Sequence, residues 1–178
     1  VAAGLARIRS GRARPGIEAL FEVAGKDHRL ATASDLGFIV GPRLNAAGRL
    51  DDMSVGIECL LADSTASARA KAENLHALNR ERRDIEQSMQ TEALAQLDAL
   101  NLDQPDLPFA MTLYDPNWHQ GVIGILASRI RERVYRPTLI FADSDEGMLK
   151  ASGRSIPGLH LRDALDQVAA RHPGLLTK

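Results

Sequence analysis

Three short stretches concentrate the residue types that can grip a phosphate. The first is Gly41-Pro42-Arg43-Leu44-Asn45-Ala46-Ala47-Gly48-Arg49. It sets two guanidiniums, Arg43 and Arg49, and the Asn45 amide among small side chains that let a ligand come close. The planar fork of arginine matches phosphate oxygens with paired donors. Taken alone, the stretch reads as an anion site or, somewhat more readily, as a helix junction with solvated arginines.

The second runs from Asp115 through Trp118, His119, Gly121 and Gly124 to Arg129. Here the chain leaves a strand, crosses a polar loop and enters a helix with glycines at its start. Free N–H groups at the positive end of a helix suit phosphate. Trp118 could stack on a base, and His119 could contact phosphate or move a proton. The competing reading makes Trp118 a partly buried anchor, His119 a loop hydrogen-bonder, and the glycines a means of close helix–sheet packing. The third is Lys150-Ala151-Ser152-Gly153-Arg154-Ser155, where a strand ends in a loop of closely spaced donors suited to a phosphodiester backbone. A surface loop rich in turn residues is its plain alternative.

Several chemistries find no residues to carry them. The five histidines are scattered, with no zinc spacing. Neither a P-loop nor a G-x-G-x-x-G occurs, which speaks against a nucleotide-driven motor or a dinucleotide enzyme. No aspartate-rich cluster could hold two divalent cations; Asp51-Asp52 reads as helix capping. The single cysteine, Cys59, sits among Ile57, Leu60 and Leu61 and reads as a buried, inert thiol. We therefore expect phosphate grip without a catalytic residue and without a metal ligand.

These stretches need elements to hold them. Val1 to about Gly25 reads as helix, turn, helix, broken between Gly11 and Gly16. Thr32 to Asp35 reads as a helix start. Gly41-Pro42 is expected to stop regular structure and present Arg43 to Arg49 on a loop. Asp51 or Asp52 caps a further helix. Asp63-Ser64 opens a segment free of Gly and Pro, with Leu75, Leu78, Ile85, Met89, Ala93, Leu97 and Leu100 on one stripe. Such a helix is a strut between domains or a coiled-coil arm. Asn101 to Pro108 ends it as a linker. Beyond it, strands at Phe109–Tyr114, Pro137–Ala142 and Met148–Ser155 alternate with helices at Gln120–Val134 and Leu159–Ala170, an α/β layer.

Charge follows the same division. Residues 1–50 carry eight Lys and Arg against four acids, 51–115 five against thirteen, and 116–178 nine against six. Two basic ends flank an acidic middle, and a nucleic-acid binder needs local positive potential rather than a basic whole. No run of roughly 18 apolar residues could span a membrane. The start, Val1-Ala2-Ala3-Gly4, shows no signal peptide and no initiator methionine, and points to a processed chain or a fragment. One unpaired cysteine suits a reducing, cytoplasmic setting.

Gly-Pro-Arg-Leu-Asn-Ala-Ala-Gly-Arg-Leu-Asp at 41–51, Trp-His-Gln-Gly-Val-Ile-Gly-Ile-Leu-Ala-Ser-Arg-Ile at 118–130 and Ser-Gly-Arg-Ser-Ile at 152–156, in this order, closely resemble the RecJ family of single-strand-specific DNA exonucleases. That family lies in the DHH/DHHA1 phosphoesterase superfamily, and the resemblance runs through essentially the whole chain. It implies the helical end of a DHH domain over 1–62, a connector helix and linker over 63–104, and a partial DHHA1 α/β domain over 105–178. Full-length members of the family hold Mn²⁺ or Mg²⁺ in the DHH domain. They degrade single-stranded DNA from the 5′ end in recombination and repair.

The DHH motif is expected upstream of Val1 and a Gly-Gly-His motif past Lys178, so no metal ligand carries over. Arg43, Asn45, Arg49, Ser152 and Arg154 are the implied contacts for the 5′ phosphate and nearby backbone, with His119 in a family motif of less defined role. The resemblance also implies a monomer in full-length form and repair partners such as a helicase or single-strand-binding protein. The alternative is a stand-alone module that binds single-stranded DNA or docks a partner. A cousin such as an oligoribonuclease or cyclic-dinucleotide phosphodiesterase fits the Arg43–Arg49 stretch less well.

Overall fold

The computed structural model describes residues 1–99, 108–144 and 147–176. Packing divides the chain into two units, Val1–Asp84 and Ile85–Lys178. The boundary falls inside one long helix, not at the linker. Helix α6, Thr65–Ala99, is therefore shared, its first part built into one core and its last part into the other. Leu100 and Asn101 to Leu107, most of the expected linker, lie outside the described residues.

The first unit is helical. α1, Ala2–Arg9, and α2, Pro15–Glu22, form the expected pair, with Pro15 in the first turn, where a missing N–H leaves no bond unmade. Thr32 and Asp35 close a reciprocal capping box at the start of the short α3, Ala33–Asp35. A π-turn over Leu36–Val40 follows, and α4 runs Gly41–Leu50. α5 is Ser54–Leu61, with Asp52 Oδ1 accepting the Ser54 N–H at 2.8 Å. Neither aspartate is the N-cap: that position is Met53, which offers no side-chain cap bond, and Asp52 braces the start of the helix from one residue earlier.

Gly41-Pro42 does not end regular structure. Instead Gly41 donates its N–H five residues back, to Leu36 O. Proline normally breaks a helix because it lacks an N–H and its ring meets the carbonyl four residues earlier. The widened π-turn changes that spacing, and Pro42 sits in the first turn of α4, where it is tolerated. Arg43, Asn45 and Arg49 consequently stand on a helix rather than a loop.

Leu5 and Ile8, Leu20 and Phe21, Val40, Ala47, Cys59 and the Ala68–Ala72–Leu75 stripe of α6 form the core of this unit. Small residues set its tightest approach. A Cβ on Gly16 would stand 1.9 Å from the carbonyl oxygen of Cys59, so α2 meets α5 backbone to backbone. Cys59 is fully buried, and burial raises its thiol pKa, as expected of an inert thiol.

The second unit is a three-stranded sheet in the order β1-β2-β3: β1 Met111–Tyr114, β2 Thr138–Asp143 and β3 Leu149–Arg154. β1 and β2 are parallel, joined by α7, Ile123–Val134; β2 and β3 are antiparallel. Ile123, Leu126, Ala127 and Ile130 of α7 are buried, the spacing of a single helix face. Met89, Ala93 and Leu97 of α6 are buried as well. Tyr135 closes α7 in the left-handed region at φ 52°, a position that usually goes to glycine. α8, Leu161–Arg171, follows β3, and none of its residues is fully buried. Among the described residues no helix is long and apolar enough to cross a membrane.

Candidate functional site

In the second unit β3 pairs Ser152 with Ile140 and Arg154 with Thr138 of β2. Both site residues lie inside the strand, not on a loop after it. Strand alternation puts positions two apart on one face. Gly153, between them, faces the other way, where a Cβ would stand 2.5 Å from Leu161 Cδ2.

Arg154 is held firmly. Its Nε donates to Ser128 Oγ at 2.8 Å, and its Nη1 to Gly153 O at 2.8 Å and Ser152 Oγ at 3.3 Å. Ser128, on α7, donates in turn to Gly124 O at 3.3 Å. Gly124, one turn earlier, leaves room for the guanidinium: a Cβ there would stand 3.2 Å from Arg154 Nη2 and 3.1 Å from Ser152 Oγ. So Gly124 serves close helix–sheet packing. Among the described residues every acceptor of Arg154 is neutral. A half-buried cation with only neutral partners keeps its full charge for an incoming anion.

The loop before α7 is built from itself. Asp115 Oδ1 accepts from Asn117 N at 2.9 Å, and His119 Nδ1 accepts the Gly121 N–H at 3.0 Å. Trp118 is only 3% exposed, and its Nε1 donates to Glu92 Oε2 at 2.8 Å. An indole so covered has no face for a base. Trp118 is an anchor, and the base-stacking expectation fails on burial.

In the first unit α4 separates the predicted trio. At 3.6 residues per turn Asn45 and Arg49 sit more than about 100° around the helix from Arg43. They are exposed, while Arg43 is half-buried. Ala46 and Ala47 are fully buried, and Gly56 of α5 is close enough that a Cβ would meet Leu44 Cδ2 at 3.5 Å. The small residues of this motif thus pack helices.

Arg43 Nη1 donates to Ile39 O at 2.7 Å, while Nε and Nη2 lie 3.2 and 3.0 Å from His76 Nδ1 on α6. Burial, and then the nearby charge of Arg83, lower the Arg43 pKa from its ordinary value. Burial, Arg43 and Arg80 lower that of His76 in the same way. Again no carboxylate bonds to Arg43 among the described residues.

Sequence reasoning missed Ser128 and His76. Ser128 had a signal, because Gly124 and Ser128 are four apart on one helix face, inside a stretch already singled out. His76 had none, for its partner lies 33 residues away.

Comparison with known proteins follows the same residues. Residues 107–177 match the DHHA1 domain family. The whole chain is 56% identical to the single-stranded-DNA-specific exonuclease RecJ of Dickeya dadantii, of which it spans 31% of the length. The crystal structure of Thermus thermophilus RecJ in complex with Mg²⁺ is 34% identical with a TM-score of 0.75, covering 94% of this chain and 24% of that one. A crystal structure of exonuclease RecJ bound to manganese has the same identity and TM-score, covering 92% of this chain and 38% of that one. Over the segment it spans, the chain belongs to the RecJ family, and its second unit carries a DHHA1 domain.

Proposed function

We propose that this chain holds the phosphate backbone of single-stranded DNA for a metal-dependent 5′→3′ exonuclease. The reading rests above all on Arg154. Its guanidinium is held by three neutral oxygens, those of Ser128, Ser152 and Gly153, with no carboxylate bonded to it among the described residues. Arg43 repeats that pattern in the first unit. Exposed Asn45 and Arg49 supply further donors for the backbone, and His119 lines the loop before α7. The relatives are named as single-stranded-DNA-specific exonucleases, which supports that substrate.

Fixed donors of this kind work by orientation. They hold the phosphodiester in line and settle its charge without reorganising as the bond breaks. Divalent cations would supply the activated water; two of the similar structures contain Mg²⁺ or manganese. Among the described residues no group of three or more His, Cys, Asp and Glu could hold such an ion. The roles we propose for these residues are binding and positioning. In the chain's cellular setting we place this activity in cytoplasmic recombination and repair. There a monomeric full-length enzyme would work with a helicase or a single-strand-binding protein. The domain division follows the same reading, with 1–62 ending a DHH domain, 63–104 connecting, and 105–178 beginning DHHA1.

The test is binding of a 5′-phosphorylated single strand to this chain, with Mn²⁺ present and nucleotide release followed in parallel. Binding that weakens steeply with salt, without release, is expected. No binding would overturn the reading. Release would show that hydrolytic residues were overlooked.

A further inference from the structure

The charge around Arg43 is unusual in its composition. α6 brings His76, Arg80 and Arg83 near it: burial and then Arg83 lower the pKa of Arg43, and burial, then Arg43 and Arg80, lower that of His76. Glu73 of α6 and Glu22 of α2 both pair with Arg69, and Glu81 and Asp84, which flank the α6 arginines, make no bond to Arg43 among the described residues. A cavity of about 300 Å³ opens between Val23, Arg69, Glu73, His76 and Arg80. At the centre, among the described residues, the one side-chain acceptor bonded to Arg43 is the imidazole nitrogen of His76.

That nitrogen can accept only while it is unprotonated. A carboxylate in its place would hold Arg43 as firmly but would neutralise the charge that a phosphate needs. A neutral imidazole orients without neutralising. From this geometry we infer that His76 is a positioning residue, which aims the Arg43 guanidinium by accepting from its Nε and Nη2 and leaves its charge free for a phosphate. The Ile39 carbonyl fixes the third side, at 2.7 Å from Nη1. His76 thus stands to Arg43 as Ser128 stands to Arg154, a neutral acceptor on a neighbouring helix. The inference rests on the proposed role of Arg43 as a phosphate contact, and the experiment separates the two.

Three variants of the chain, Arg43→Ala, His76→Ala and His76→Asn, are compared at pH 8. The lowered pKa of His76 keeps the imidazole neutral there, so neither His76 variant changes net charge. Asparagine keeps an acceptor near the Nδ1 position and alanine does not. Two quantities are read: the affinity for a 5′-phosphorylated single strand, and the slowly exchanging Arg43 Nε–H resonance, which needs no DNA. His76→Ala should lose the resonance and bind about three- to tenfold more weakly, while His76→Asn restores most of both. If Arg43→Ala weakens binding but His76→Ala alters neither the resonance nor the affinity, the positioning role is wrong. If His76→Ala loses the resonance while Arg43→Ala binds like the unaltered chain, the phosphate role of Arg43 fails, and the inference with it.

Discussion

Arg154 and Ser128 meet across the strand–helix layer at 2.8 Å, Nε donating to Oγ, although 26 residues separate them. The contact forms because Gly124 lets α7 close on β3. A Cβ at Gly124 would stand 3.2 Å from Arg154 Nη2, tight enough that the guanidinium must shift by a few tenths of an ångström. Alanine also favours a helix over glycine by about 1 kcal/mol. Gly124→Ala should therefore leave the melting temperature unchanged or raised while weakening single-strand binding several-fold. Parallel thermal unfolding and anisotropy titration would show it; full binding in the variant would mean that Arg154 needs no such seat.

Trp118 gives the opposite pattern. Its Nε1 donates to Glu92 and its ring is buried, so its role is structural. Trp118→Phe should lower stability by about 1 kcal/mol for the lost hydrogen bond. Single-strand affinity should stay within twofold. A large loss of affinity in a folded variant would return Trp118 to the binding surface.

Gly16 marks a backbone-to-backbone helix approach in the first unit. Its Cβ would fall 1.9 Å from Cys59 O, and a backbone oxygen cannot swing aside as a side chain can. Gly16→Ala should cost about 3 kcal/mol or more in urea unfolding, against its helix-propensity gain. A stability near that of the unaltered chain would contradict the packing of α2 on α5.

Groups whose pKa is lowered on folding, His76, Asp27 and Asp35 among them, shape the acid limb of stability. His76 has a folded pKa below its ordinary 6.5, so the unfolded chain takes up the proton first. Its contribution is fully present above 6.5 and is lost as pH falls through the lower folded value. Asp27, held by the Arg29 side chain and N–H, has its pKa lowered from 3.8 to about 2. Its share is present above 3.8 and lost as pH drops toward 2. Urea unfolding from pH 8 to 5 should show stability falling, and His76→Asn should flatten that slope. A slope identical in the variant would remove His76 from the account.

Much of this was legible in the sequence, and the exceptions have physical causes. The helix pair α1–α2, the capping box at Thr32, the long stripe of α6 and the strand–helix–strand–strand–helix order all follow from local periodicity and capping. Pro42 misled because its usual effect on a helix is cancelled by a π-turn, which depends on how Leu36–Val40 packs. The Arg43–Arg49 motif was visible as a composition, yet its division between two sides of α4 appears only once it is helical. Ser152 and Arg154 were visible as donors. What fixes Arg154 is a contact that a linear pattern does not contain, and the same holds for Arg43 and His76.

The grip itself is tested most directly by Arg154→Ala in the chain, titrated with a 5′-phosphorylated single strand across a salt series. One charge-assisted contact is worth about 1.5–3 kcal/mol, so affinity should fall at least about tenfold. The slope of log affinity on log salt should shrink by about 0.7, the value for one phosphate contact on a single strand. Thermal unfolding should change little. An unchanged affinity and an unchanged salt slope at matched conditions would contradict the central claim that Arg154 holds the DNA backbone.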